Sequence, residues 1–202
     1  MKGQVDEFYE IYRTNFITVY ADFVALTQTK PEQILIEESN MLSHVAQSHN
    51  PSLNKDIQDD NIKKAKNHLV RATLDLHKLV WAELRQRLDA FILDENRRLC
   101  FNASEKEVLA DYDKFVEKGR EARRYEMESI GVDPLNSISH YEEVNKIGYD
   151  LLGKIDKGKE TRIRSILHAY KTKEFWFGVL ASLVAAGIFS LTVFIFNKIS
   201  AP

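Results

Sequence analysis

Residues 175–196 read FWFGVLASLVAAGIFSLTVFIF and contain no charged side chain. As an α-helix, these 22 residues extend over roughly 33 Å, which is enough to cross a hydrocarbon core of about 30 Å. A helix of a water-soluble core rarely stays apolar on every face for so many turns. The stretch therefore predicts a transmembrane helix, and the remaining chain is best understood from its position relative to this helix.

The charges that flank this stretch predict its orientation. Seven basic residues precede it, and only Lys198 follows it, in a short tail over residues 197–202. Positive charge concentrates on the cytoplasmic side of membrane helices, and the first ten residues contain no apolar signal-peptide core. We expect a single-pass protein of the inner membrane, inserted after synthesis as tail-anchored proteins are, with residues 1–153 forming a cytoplasmic domain. The seven basic residues are Lys154, Lys157, Lys159, Arg162, Arg164, Lys171 and Lys173.

The basic segment over residues 154–174 is predicted to be a stalk between this domain and the membrane, and its charge has two interpretations. Its cations bind anionic lipid headgroups, at about 1 kcal/mol for each well-placed charge, or they act only as the topology signal. Asp156 and Glu160 dilute the positive charge. Membrane lipids are thus predicted partners, and both interpretations stay open.

Composition excludes several classes of protein and of site. The net charge of −2 argues against a generic nucleic-acid binder, and the single cysteine, Cys100, excludes an intramolecular disulfide. The six histidines show no metal-binding spacing, and the glycines are too scattered for a phosphate loop. No residue stands in a recognisable nucleophile motif. The sequence therefore predicts no metal and no cofactor, and it identifies no enzymatic reaction.

Apolar residues at spacings of three and four predict that residues 1–153 are helical. The first helix covers residues 4–28, and the second begins after Thr29-Lys30-Pro31-Glu32 and ends near Ser48. The apolar side of the first comprises Val5, Phe8, Tyr12, Phe16, Val19, Phe23 and Leu26, and that of the second comprises Ile34, Leu35, Met41, Leu42 and Val45.

A long helix is predicted from about Asp60 to Leu99, with a possible kink near 94–98. Its apolar stripe consists of Ile62, Ala65, Leu69, Ala72, Leu76, Val80, Leu84, Leu88 and Phe91, and its other side is dense in charge. Ser104 and Glu107 form a capping box that starts the next helix. Shorter helical stretches are expected around 138–153, and residues 159–173 are expected to run into the span. The predicted fold is an all-α bundle with one long helix, followed by the membrane helix.

The membrane helix carries a ridge of small residues. Gly178, Ser182, Ala186 and Ser190 recur every four residues, and small residues at this spacing let two membrane helices approach closely. The ridge predicts a homo-oligomer held by this helix. The alternative is a monomeric anchor, because small residues are common in membrane helices.

Arg71 and His77 lie in the segment NHLVRATLDLH of the long helix. An arginine followed by a histidine after four to six residues resembles the motif of HEPN-domain ribonucleases, which are all-α bundles that often serve in bacterial defence. The resemblance implies that Arg71 stabilises phosphate charge and that His77 supplies acid–base chemistry on RNA. Ala72 replaces the polar residue usual after the arginine, and six residues put the pair about 120° apart around the helix. The alternative is a polar face shared by His68, Arg71 and Asp75, with local side-chain pairing.

Three functions are compatible with these features. The anchor and its ridge resemble the design of small bacterial defence effectors that oligomerise in the inner membrane and compromise it, which predicts a pore-forming or depolarising effector. The HEPN resemblance implies a membrane-tethered ribonuclease instead. A third alternative is a passive adaptor that holds a protein partner at the membrane through helix 4–28 or the long helix.

Overall fold

The computed structural model describes the backbone of residues 2–130, 132 and 134–199, and the side chains of residues 3–130, 132 and 134–189. Within these ranges every regular element is helical, so the predicted all-α class is confirmed. An isolated bridge between Phe101 and Ile155 belongs to no strand. The elements are α1 (Lys2–Ile11), a π-helical turn (Tyr12–Phe16), α2 (Ile17–Thr27), α3 (Glu32–Ser48), α4 (Lys55–Ile92), α5 (Glu95–Arg98), α6 (Glu105–Glu128), α7 (Pro134–Gly153) and α8 (Lys157–Ile199).

The chain divides into two compact units, residues 1–155 and 156–202. The first contains α1 to α7, and the second contains α8. The finer limits of the stalk (154–174), the span (175–196) and the tail (197–202) stay predictions. The last three residues of that tail lie outside the described residues.

Helix α4 is the centre of the bundle, because α1, α2, α3 and α7 all pack against it. The predicted apolar stripe is buried from Ile62 to Leu88, and Phe91 is half-buried. A second set of buried residues lies where we expected only a charged, solvated side: Val70, Thr73, Leu74 and His77. Neighbouring helices therefore cover two sides of α4, and its charged residues occupy the rest of its surface.

The ends of α4 differ from the prediction. The helix begins at Lys55 rather than near residue 60 because the Asn54 side chain accepts a hydrogen bond of 2.9 Å from the Ile57 N–H, as an N-cap does. It ends at Ile92, whereas we had expected it to continue to Leu99 with a kink near residues 94–98. Asp94 then caps the short helix α5, so the predicted single helix to residue 99 is two helices.

Only a narrow side of α3 is buried, which corrects its predicted apolar face. Ile34, Met41 and Ser48 are buried at a spacing of seven residues. Leu35 and Leu42 each lie one position further, about 100° around the helix. They are 43% and 61% exposed. The contact between α3 and α4 is thus a single seam, and these two leucines face solvent.

Helices α6 and α7 form an antiparallel pair, since only five residues separate them in the sequence and they pack together. Ser104 caps α6 as predicted, because its Oγ accepts from the Glu107 N–H at 3.3 Å. The predicted capping box is incomplete, because the Glu107 carboxylate accepts from Lys154 Nζ at 3.0 Å and not from the Ser104 N–H. The shorter stretches expected around 138–153 are in fact one continuous helix. Gly148 does not interrupt it; a methyl group there would lie 2.8 Å from Phe115 Cε2 and 3.0 Å from Leu84 Cδ1. The glycine serves close packing of three helices.

The second unit is a single helix, α8, of 43 residues. The Asp156 side chain accepts hydrogen bonds from the backbone N–H groups of Gly158 at 2.8 Å and Lys159 at 3.1 Å, which starts the helix. The prediction that residues 159–173 continue without a break into the apolar stretch is confirmed.

Candidate functional site

The structure places Arg71 and His77 in different surroundings. The His77 side chain is only 8% exposed and faces α7, whereas the Arg71 side chain is 62% exposed and faces α3. Burial lowers the pKa of His77 to about 4, so its imidazole is neutral at pH 7. Arg71 Nη1 lies 3.7 Å from Glu37 Oε1, near the limit of an ion pair. Within one chain, the two residues do not face a common site.

The polar face shared by His68, Arg71 and Asp75 contacts α3. His68 Nδ1 donates to Glu37 Oε2 at 2.6 Å, and Gln33 Nε2 donates to Asp75 Oδ2 at 3.0 Å. The expected pairing along α4 is present at Asp75, whose carboxylate lies 2.5 Å from Lys78 Nζ three residues further on. The contacts to α3 join two helices in addition. The face helps to position α3 on α4, which is a structural role.

A cleft of about 290 Å³ lies beside His77, between the π-helical turn, α2, α4 and α7. Most of the residues that line it are polar or charged. Thr14 and Asn15 come from the π-helical turn, Asp22 comes from α2, and Asn145 and Tyr149 come from α7. Single π-helical turns inside α-helices occur frequently at functional sites. The cleft is therefore a candidate small-molecule site of the bundle, as is a larger cavity of about 730 Å³ lined by residues of α4, α6 and α7.

The hydrogen bonds on the cleft floor fix the roles of its polar atoms. Asn145 Nδ2 lies 3.0 Å from the His77 carbonyl oxygen and 3.3 Å from His77 Nδ1. A carbonyl oxygen can only accept, so the amide nitrogen must face it, and Nδ1 accepts the second N–H. In the neutral imidazole, the proton then resides on Nε2. His77 Nε2 is consequently a hydrogen-bond donor.

Three residues that line the cleft each contain a polar atom that is shielded from solvent and has no hydrogen-bond partner among the described residues: His77 Nε2, Asn145 Oδ1 and the Tyr149 hydroxyl. Glu142 Oε1 is 3.7 Å from Nε2, which is too long for a hydrogen bond. An unsatisfied buried polar group costs about 1–3 kcal/mol. The concentration of three such atoms at one cleft distinguishes it from the rest of the bundle.

The charges around the cleft are mainly negative. Asp22, Glu142 and Asp150 line it together with one cation, Lys146. Burial raises the pKa of the Asp22 carboxyl above its usual range. Burial, together with the nearby Asp22 charge, raises the pKa of Tyr149 to about 12, so its hydroxyl stays protonated at pH 7. The cleft is therefore unfavourable for anions.

The sequence analysis did not find Asn145 or Tyr149. A signal existed for Asn145, since it lies four residues after Tyr141 on the buried side of α7 and interrupts an apolar face. No pattern marked Tyr149 or the π-helical turn, because both depend on how α1, α2 and α7 meet around α4.

Helix α8 contains the one segment of the described chain that is long and apolar enough to cross a membrane, Lys157–Phe189. Its large apolar side chains are exposed: Phe175, Trp176, Phe177, Leu180, Leu183, Val184, Ile188 and Phe189. This finding rests on length and composition, and it is consistent with single-pass anchoring near the C-terminal end of the chain.

The small-residue ridge lies open on α8. A methyl group added at Gly178 would meet no atom within 4 Å. The Ser182 hydroxyl donates to the Gly178 carbonyl oxygen at 2.9 Å, which leaves its lone pairs for a second helix. Ala186 is exposed along the same ridge, and the Ser190 side chain lies outside the described residues.

The basic residues predicted to bind headgroups fall into two sets. Lys154 belongs to the bundle, where its ammonium lies 2.8 Å from Asp111 Oδ2 and 3.0 Å from Glu107 Oε1. These two carboxylates raise the pKa of Lys154. Its charge is already paired, so it is a poor headgroup ligand. The remaining six residues lie on α8: Lys157, Lys159, Arg162, Arg164, Lys171 and Lys173.

No group of three His, Cys, Asp or Glu side chains in the described part of the chain is placed to hold a metal ion. No protein-family model matches the sequence. No curated protein and no solved structure matches the chain either.

Proposed function

We propose that this protein is a single-pass membrane effector of the bacterial inner membrane, with its bundle in the cytoplasm. In this proposal α8 anchors the chain, self-associates through the ridge of Gly178, Ser182 and Ala186, and perturbs the membrane. The observation that carries the proposal is α8 itself. It is an apolar helix of membrane-spanning length whose aromatic, leucine and isoleucine side chains from Phe175 to Phe189 are exposed and whose small residues form an open ridge.

Physical reasons support self-association of this helix. Lipid tails are as apolar as leucine, so association in a bilayer depends on close packing and on hydrogen bonds between helices. Glycine, alanine and serine at a four-residue spacing provide both, because they let backbones approach and offer a hydroxyl. A defence role follows only from the resemblance to small membrane effectors and belongs to the same proposal.

The basic residues of α8 complete the proposal. Arg162, Arg164, Lys171 and Lys173 are exposed, and exposed cations beside a span attract anionic headgroups. Arg164 is partly neutralised by Glu160, 3.5 Å away, so the attraction is weaker than the number of cations implies. Lipid binding by this segment assists anchoring and does not replace it.

The test is membrane potential in cells that express the full-length chain. We expect loss of potential, measured with a voltage-sensitive dye, and no loss when residues 175–202 are deleted. A matched variant replaces 175–196 with leucines of equal number, which keeps the anchor and removes the ridge. We expect this variant to localise to the membrane and to leave the potential intact.

Two alternatives predict other outcomes of the same experiment. A tethered HEPN-like ribonuclease leaves the potential intact, and its soluble fragment 1–153 cleaves RNA. A passive adaptor retains its function in the leucine variant, because only anchoring matters. The ribonuclease alternative requires Arg71 and His77 to act together, and the structure assigns them to different sides of α4.

A further inference from the structure

Helix α3 has an exposed side that carries no charge after its first turn. Eight of its exposed positions lie opposite the buried seam with α4, within an arc of about 160° around the helix. None of them is charged, although charged residues make up 29% of the chain. The exposed Glu32 belongs to the first turn, and Glu37 and Glu38 are half-buried on the other side. The eight positions form the outer face of α3: Leu35, Ile36, Ser39, Asn40, Leu42, Ser43, Ala46 and Gln47.

The outer face contains three large apolar side chains. Leu35, Ile36 and Leu42 are 43%, 56% and 61% exposed. Single apolar residues are common on protein surfaces, but a group of them without intervening charge is typical of a surface that contacts another molecule. Because α3 packs against α4 through its opposite side, the bundle leaves the outer face open.

Four residues of the outer face form a stripe along the helix that alternates large and small side chains. Leu35, Ser39, Leu42 and Ala46 follow one another at spacings of four, three and four residues. They therefore lie within about 60° of one another around the helix. Each leucine projects from the stripe, and the serine or alanine that follows it leaves space beside it.

This order of sizes makes the stripe complementary to itself. In an antiparallel pair of α3 helices across a twofold axis, Leu35 of one copy faces Ala46 of the other. Leu42 likewise faces Ser39, so each large side chain meets a small one, as close helix packing requires. A twofold interface also brings a surface against itself. Because the outer face is uncharged, no like charges meet there, and a second copy of this chain fits it.

The contact between two α3 helices is too small to hold two free chains together. A stable interface uses about 20–30 residues of each partner, whereas the outer face has eight. The contact becomes favourable once another interface joins the chains, because it is then intramolecular and experiences a high effective concentration. The proposed self-association of α8 supplies that interface, and the present inference rests on it.

We infer that the outer face of α3 binds the same face of a second copy of this chain when α8 holds the two chains together. The two helices pair antiparallel across a twofold axis. Leu35 and Leu42 are the large residues of the contact, and Ala46 and Ser39 receive them. The bundle thereby takes part in the oligomer instead of being carried passively by α8.

Cross-linking of the full-length protein in detergent tests this contact. Ser39→Cys places a thiol within the stripe, and Ser139→Cys, on the exposed surface of α7, is the matched control. Cys100 is buried and stays in every protein, so the wild type gives its background. With a short bismaleimide we expect at least about tenfold more covalent dimer from Ser39→Cys than from either control, because the contact raises the effective concentration of the thiols.

A charge on the stripe distinguishes a specific contact from the mere proximity of two tethered bundles. Leu42→Glu, introduced into the Ser39→Cys protein, brings two carboxylates together at the contact and should reduce cross-linking at least about fivefold. Leu42 is 61% exposed, so the thermal midpoint and the oligomeric mass should not change. Met127→Glu, at a position on α6 that is 54% exposed, is the matched control and should leave cross-linking unchanged.

The outcomes separate this inference from the proposed function. An oligomeric mass without excess cross-linking of Ser39→Cys overturns the inference and leaves self-association of α8 in place. Undiminished cross-linking in the Leu42→Glu protein also overturns it, because the thiols then meet without this face. A monomeric wild type overturns both, since the α3 contact requires α8.

Discussion

At the scale of single residues, His77 shows what a periodic pattern leaves out. The apolar stripe from Ile62 to Leu88 was readable from the sequence because its members recur every three or four residues. His77 lies outside that stripe, next to Leu76, and its burial depends on the approach of α7 and Asn145. A single sequence contains no signal for that approach. Arg71 and His77 were paired on their spacing alone, and the different surroundings of the two side chains were not predictable.

The buried imidazole makes the stability of the bundle depend on pH. Burial lowers the pKa of His77 from 6.5 to about 4. The unfolded chain therefore binds a proton between these values that the folded chain does not, so stability is fully present above pH 6.5 and falls as pH drops to about 4. The expected loss is about 3 kcal/mol. Thermal midpoints of the wild type and of His77→Gln, measured from pH 7.5 to 4, check this.

Acid also protonates carboxylates, and this changes the midpoints of both proteins. The contribution of His77 is therefore the difference between the pH dependence of the wild type and that of His77→Gln. We expect the midpoint of His77→Gln to fall less steeply with acid than that of the wild type. If the midpoints of the two proteins fall in parallel with pH, His77 does not contribute to the pH dependence of stability. Its ring is then less desolvated than the structure indicates.

At the scale of elements, the sequence predicted helices better than it predicted their faces and ends. Helix α7 was expected as short stretches around residues 138–153, yet it continues through Gly148, a residue type that weakens helices. In the structure the glycine lets α7 approach Leu84 of α4 and Phe115 of α6. The exposed side of α3 was missed for a related reason: Leu35 and Leu42 look like core residues until the narrow seam with α4 is known.

Gly148→Ala tests the close packing of α4, α6 and α7. The added methyl group would lie 2.8 Å from Phe115 Cε2 and 3.0 Å from Leu84 Cδ1, so both side chains must shift. Overpacking of this kind costs about 1–3 kcal/mol, measurable as a lower thermal midpoint. Gly153→Ala is the control, because nothing lies within 4 Å of its added methyl group, and its effect should stay within about 0.5 kcal/mol. Equal midpoints for the two variants are incompatible with three-helix packing at Gly148.

At the scale of the whole molecule, the sequence predicted an all-α bundle followed by an apolar helix, and the structure agrees on the helical class and on a continuous α8. This success has a physical reason. A charge-free stretch of membrane-spanning length and an amphipathic helix can each be recognised from a short window of the sequence, without knowledge of which elements pack together. The cleft at His77 was not predictable because it requires four elements to meet, and no local pattern encodes their meeting.

Self-association through α8 is the central claim, and the mass of the purified full-length protein in detergent tests it most directly. We expect a mass that is a multiple of 23.4 kDa, after correction for bound detergent. The double variant Gly178→Leu, Ser182→Leu blocks close approach of two helices and should reduce the mass to 23.4 kDa. Leu180→Ala with Val184→Ala, on the opposite side of α8, should retain the oligomer. A monomeric wild type, or an unchanged oligomer in the Gly178 and Ser182 variant, would contradict the claim.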